Sequence, residues 1–117
     1  FLGQIQSALK KNKPFFMSSG RQLRGYHHCD DEAKAIKRTV NSSCSGIINL
    51  SHSKPIYLNS IASSVFNAFG KSELLHSIEE AEPDNAIYEE SLLKNTIIKK
   101  GFRDPLTSIV SYMKEVN

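Results

Sequence analysis

The 117-residue chain has no apolar run approaching the roughly 18 residues that span a bilayer, which argues against a membrane protein. It has two cysteines, Cys29 and Cys44, spaced as neither a C-x-x-C pair nor a disulfide framework, so reduced thiols in a cytoplasmic protein are expected. Its six glycines form neither G-x-x-G-x-x-G nor G-x-G-x-x-G, so no strand-to-helix turn is open enough for backbone amides to approach a pyrophosphate. Dinucleotide binding within these residues is therefore not expected. There is no internal repeat, no low-complexity linker and no signal-like start, and the chain opens on Phe1 rather than Met. That opening suggests a fragment of a longer protein.

Apolar residues make up 39% and charged residues 23% of the chain, which places it with folded domains rather than with disordered segments. A domain of this length buries roughly two-thirds of its unfolded surface, enough for one modest core. The net charge of +3 is spread over scattered lysines, densest at Lys10, Lys11 and Lys13 and again at Lys94, Lys99 and Lys100. Without a concentrated face, stacking aromatics or a known module, this charge does not point to nucleic acid.

The order of elements reads as mixed α and β. Leu2, Ile5 and Leu9 have helical spacing, and Pro14 predicts the end of that helix near Lys11. Phe15 to Met17 reads as a buried strand followed by a turn at Gly20, and Tyr26 to Cys29 as a second extended segment. Asp30 is expected to cap a helix carrying Ala33, Ile36, Lys37 and Val40. Gly46 to Leu50 reads as a strand, and Asn59 as the cap of a helix with its apolar stripe at Ile61, Ala62, Val65, Phe66 and Phe69, closed by Gly70. Leu74 to Ile78 reads as a strand, Glu79 to Asn85 as an acidic loop, and Ser91 to Lys100 as a helix. Asp104-Pro105 then opens the last helix.

Gly20-Arg21-Gln22-Leu23-Arg24-Gly25-Tyr26-His27-His28-Cys29-Asp30-Asp31 resembles the G-x-x-x-R-D-[FY]-[IVL]-[HY]-V-x-D signature of NAD(P)-dependent nucleotide-sugar epimerases, dehydratases and reductases, the extended short-chain dehydrogenases. Similar matches follow in the family's order: the helix from Asp30, the Gly46-Ile47-Ile48-Asn49-Leu50-Ser51 segment, Ile56 to Gly70, Pro83-Asp84 and Gly101-Phe102. The resemblance implies an α/β substrate-binding lobe, with residues 1–117 as a single carboxy-terminal domain of a longer enzyme. It further implies a nucleotide-diphosphate sugar as partner, NAD or NADP on a separate amino-terminal dinucleotide domain, and room for a homodimer of the complete enzyme.

The same resemblance supplies the candidate residues. Arg24 matches the arginine that approaches the substrate diphosphate, a role suited to guanidinium because its planar donors can bind two oxygens together. Gln22 lies on the turn that faces the nucleotide, and Asp84 matches an aspartate that accepts from a ribose hydroxyl. The family's Tyr-x-x-x-Lys pair is missing: the residues four after Tyr26, Tyr57, Tyr88 and Tyr112 are Asp30, Ile61, Leu92 and Val116. The chain is thus not expected to be catalytic alone. Gly25 stands where the family has aspartate, Ala81 where it has a second arginine, and His52 where it often has glycine.

Two rival readings start from His27-His28-Cys29-Asp30. Alternation along an extended segment would send neighbouring side chains to opposite faces, and His52, His76 and Cys44 show no ligand spacing, so no metal is expected. A Cys29–histidine nucleophile lacks an orienting third group. A non-catalytic binding or assembly module derived from the family is the alternative to the enzyme portion.

Overall fold

A computed structural model describes residues 1–47, 50, 55–78 and 101–117. Among the described residues there are four α-helices and two small two-stranded sheets, the expected mixed α and β architecture, with the main core built from residues of three of the helices and the strand at Phe15. Among the described residues no helix is long and apolar enough to cross a membrane.

Helix α1 spans Leu2–Lys11 and buries Ile5, Ala8 and Leu9. It stops at Asn12, whose left-handed backbone (φ 51°, ψ 47°) turns its amide onto the carbonyls of Ala8 and Leu9. Asparagine tolerates that conformation better than most residues, so the stop is made before Pro14 is reached. Strand β1, Phe15–Met17, follows, and its parallel partner β4, Leu75–Ser77, lies at the far end of a long crossover. Phe15 faces inward against the Phe66 ring, 5.8 Å between centroids, while Phe16 faces outward and stacks on His76.

The second sheet pairs β2, Leu23–Arg24, antiparallel to β3, Ile56–Tyr57. The extended ladder therefore lies on Leu23 and Arg24 rather than at Tyr26 to Cys29. The partner strand sets this position: β3 runs directly into helix α3, Leu58–Ala68, and the first two amides of that helix donate to Gln22 O (3.1 Å) and Gly20 O (3.0 Å). A helix start leaves such amides without intrahelical partners, and the glycine turn satisfies them. Tyr57 is consequently the N-cap residue; Asn59 sits in the first turn and donates its Nδ2 to Ser19 O at 3.4 Å. Helix α3 buries Ile61, Ala62, Val65 and Phe66, and closes through Phe69 and Gly70. Gly70 has φ 63°, with its amide on Asn67 O and the next amide, of Lys71, on Phe66 O.

Helix α2, Cys29–Val40, is capped by His28, whose Nδ1 accepts from the Asp30 amide at 3.2 Å. Asp30 lies one step inside the helix, where its charge still complements the positive end of the helix dipole. The buried face is Asp31 and Ala35; Ile36 and Val40 point outward. Gly46, Ile47 and Leu50 are not in a strand, and Ile48 and Asn49 lie outside the described residues, as do the expected acidic loop and the helix from Ser91 to Lys100. A 3-10 turn at Ser72–Leu74, unmarked in the sequence, leads into β4.

Helix α4, Pro105–Val116, has the expected opening: Asp104 Oδ2 accepts from the Thr107 amide and hydroxyl, each at 3.0 Å, with proline in the first turn. Ile109 and Met113 complete the core with Ile5, Leu9, Ile61, Val65 and Phe66. Just ahead of α4, the Arg103 amide donates to Oδ2 of Asp31 at 2.9 Å. Asp31 is only 2% exposed, and its Oδ1 lies 3.4 Å from Arg103 Nε, an ionic contact outside hydrogen-bond geometry. This buried carboxylate ties the start of α2 to the approach of α4.

Gly20 and Gly70 offer a controlled comparison, since both have positive φ but only Gly20 is crowded. A Cβ on Gly20 would come within 2.7 Å of the Asn59 backbone nitrogen, whereas one on Gly70 meets open space. Gly70→Ala should therefore cost about 1–2 kcal/mol of conformational strain and Gly20→Ala clearly more, measured by urea unfolding. In the same assay Asp31→Ala should cost about 1.5–3 kcal/mol by stranding the Arg103 amide. Phe66→Ala should cost about 3–5 kcal/mol from the core.

Candidate functional site

The glycine turn delivers Gln22 and Arg24 to the small sheet. Gly20 reverses the chain with φ 65°, its carbonyl and that of Gln22 are fixed on α3, and β2 places Arg24 opposite Ile56. Arg24 is half-buried and donates from Nη1 to Leu23 O at 2.8 Å. Gln22 is also half-buried; its Nε2 lies 3.4 Å from Ser18 Oγ, and its buried Oε1 has no hydrogen-bond partner among the described residues. Asp84, the third candidate, lies outside the described residues, together with His52 and Ala81.

Tyr26 follows Arg24 and packs against the core. Burial pushes its hydroxyl above the ordinary tyrosine pKa by penalising the phenolate, although the Arg24 charge opposes that shift. Beyond it the chain lines a cavity of about 270 Å³ between the start of α2 and the face of α4, bounded by Leu2, Tyr26, His28, Cys29, Ile109 and Tyr112 and largely apolar. A second groove of about 280 Å³ runs along α4 past His28, Arg103 and Glu115. Neither is lined by Gln22 or Arg24. The helical spacing of Pro105, Ile109 and Tyr112 is the sequence signal for this second face.

Asp31 and Arg103 were also not singled out from sequence. The V-x-D element of the signature places its aspartate at Asp31, which is the available clue, but only the three-dimensional arrangement shows what that carboxylate holds. His27 has a local role in the same region: Nε2 is 3.5 Å from a Glu32 oxygen, and its ring lies 5.8 Å from that of Phe102. His28, Cys29 and Asp30 do not alternate between faces, because the helix begins at Cys29 and curls the three side chains together; their ligand atoms all fall within 4.8 Å of one another.

No family model matches the sequence, and no curated protein matches it. Solved structures do. A UDP-N-acetylglucosamine 4-epimerase from Bacillus cereus matches with a TM-score of 0.74 at 14% identity, over 98% of this chain and 38% of its own. A UDP-N-acetylglucosamine 4-epimerase from Methanobrevibacter ruminantium M1, in complex with UDP-N-acetylmuramic acid, matches with a TM-score of 0.71 at 16% identity, over 100% of this chain and 40% of its own. The chain thus spans about two-fifths of the length of these neighbours and shares the fold of that part.

Proposed function

We propose that this chain is the sugar-nucleotide-binding portion of an NAD(P)-dependent nucleotide-sugar epimerase, dehydratase or reductase. The observation that carries the reading is the fold match over essentially the whole chain to an epimerase, at a TM-score of 0.74. The ordered sequence signature supports it independently of that match. The second neighbour holds a nucleoside diphosphate sugar, the ligand class that the signature implies.

In this reading Arg24 binds the diphosphate, Gln22 supports the nucleotide from the glycine turn and Asp84 accepts from the ribose. Guanidinium matches a diphosphate in charge and in donor geometry, and β2 gives it a fixed base. The hydride acceptor is NAD or NADP, carried by an amino-terminal dinucleotide domain of the complete enzyme, which also supplies the tyrosine and lysine that exchange the substrate proton. The 117 residues, having neither the glycine fingerprint nor Tyr-x-x-x-Lys, act in binding and not in redox chemistry.

The test compares substitutions in the complete enzyme. Arg24→Ala should weaken binding of UDP-N-acetylglucosamine by about 10- to 100-fold, the equivalent of about 1.5–3 kcal/mol, while Arg21→Ala should have little effect. Arg24→Lys should restore only part of the loss, since ammonium keeps the charge and loses the two-pronged geometry. Equal small effects at Arg21 and Arg24 would remove Arg24 from the site. Calorimetric titration of the isolated chain with NAD and NADP should show no binding; micromolar affinity, about 8 kcal/mol, would contradict the division of labour. Retained folding with no nucleotide-sugar affinity in any form would favour the assembly-module alternative.

A further inference from the structure

We propose that His28, Cys29 and Asp30 form a three-ligand site for a zinc-class divalent ion, with one coordination position left open. The site is separate from the nucleotide-sugar reading and does not depend on it.

The backbone creates the convergence. His28 is the extended N-cap residue (φ −75°, ψ 139°), and Cys29 and Asp30 are the first residues of α2. This change of conformation turns three consecutive side chains toward one point. Cys29 Sγ lies 4.0 Å from His28 Nδ1 and 4.0 Å from Asp30 Oδ1, and His28 Nδ1 lies 3.6 Å from Asp30 Oδ2. With zinc–sulfur bonds of about 2.3 Å and zinc–nitrogen or zinc–oxygen bonds of about 2.0–2.1 Å, the edges of a tetrahedral site are about 3.3–3.6 Å. One donor atom from each residue lies within 4.8 Å of the other two, and rotation of the exposed Cys29 and Asp30 side chains draws them to those edges.

The donor set is selective. Thiolate and imidazole favour zinc and its softer neighbours over magnesium or calcium, which prefer oxygen alone. One thiolate and one carboxylate neutralise a divalent cation. Asp30 can keep both of its tasks, because Oδ2 faces Arg103 Nη2 at 3.4 Å while Oδ1 is the oxygen facing the thiol. His28 Nδ1 must give up its 3.2 Å bond from the Asp30 amide, a donor close enough to solvent for water to replace it. Cys29 and Asp30 are exposed, so an ion has direct access.

Cobalt(II) titration of the purified chain, stripped of metal under reducing conditions, tests the site directly. A thiolate-to-cobalt charge-transfer band should appear, and zinc should abolish it by displacement. Cys29→Ser should remove the band, and Cys29→Ser or Asp30→Asn should each weaken zinc binding by at least about tenfold, the lower end of what even an outer partner contributes. Cys44→Ser should leave the band intact and His27→Ala should leave the affinity unchanged, each variant confirmed as folded by circular dichroism. A missing band in the unaltered chain, or a band that survives Cys29→Ser, would overturn the assignment.

Discussion

Two backbone hydrogen bonds, from the Leu58 and Asn59 amides to the carbonyls of Gln22 and Gly20, organise the rest of the structure. They occupy the donors that a helix start cannot satisfy internally, so α3 can begin against the glycine turn and enter the core within its first turn, at Ile61. They also fix where β2 can pair, because β3 ends at the residue before the helix. The most buried apolar helix and the strand bearing Arg24 are thereby held in one register. Gly20 makes the second of these contacts and sits directly against the start of α3, with a positive φ and no room for a side-chain carbon. The glycine at the head of the signature thus has a structural reason independent of any ligand.

The second constraint is the Asp31 carboxylate. Removing a charged group from water costs several kcal/mol unless partners replace the solvent, and here the Arg103 amide and guanidinium do so. The contact joins residues 72 apart in sequence, which makes it a tertiary staple between the start of α2 and the entrance of α4. The carboxylates near the two helix starts do different work: Asp104 caps its own helix, whereas Asp31, in a helix capped by His28, reaches across to the segment before another. The apolar cavity lies between these two starts, so its shape depends on the staple as well as on its own lining.

Much of the fold was legible from local chemistry. The spans of α1, α2, α3 and α4, the strands at Phe15–Met17 and Leu75–Ser77, and the turns at Gly20 and Gly70 follow from apolar spacing and from residues with special backbone preferences. The errors share a physical cause. Asp30 and Asn59 are good caps by composition, but each helix starts earlier, at Cys29 and Leu58, because His28 Nδ1 accepts from the Asp30 amide and the glycine-turn carbonyls accept from the Leu58 and Asn59 amides. Tyr26 to Cys29 has the look of a strand, yet a ladder needs a partner, and β3 offers only two residues opposite Leu23 and Arg24. The outward Ile36 and Val40 show the same limit: helical period marks a helix but cannot say which face meets another element when a charged residue such as Asp31 is the buried one.

The candidate site divides along the same line between local and tertiary information. Arg24 and Gln22 could be chosen because a short signature fixes their spacing, and the structure adds the turn and strand that hold them. The cavity could not be chosen in that way, since its walls come from α1, the segment after β2 and α4, which meet only through the core. Tyr26 is where the two kinds of information touch: it is two residues beyond Arg24, lies under that residue's charge, and turns its ring into the cavity wall. Burial there disfavours the phenolate while the Arg24 charge favours it, so the electrostatics of β2 and the wall of the cavity meet at one residue.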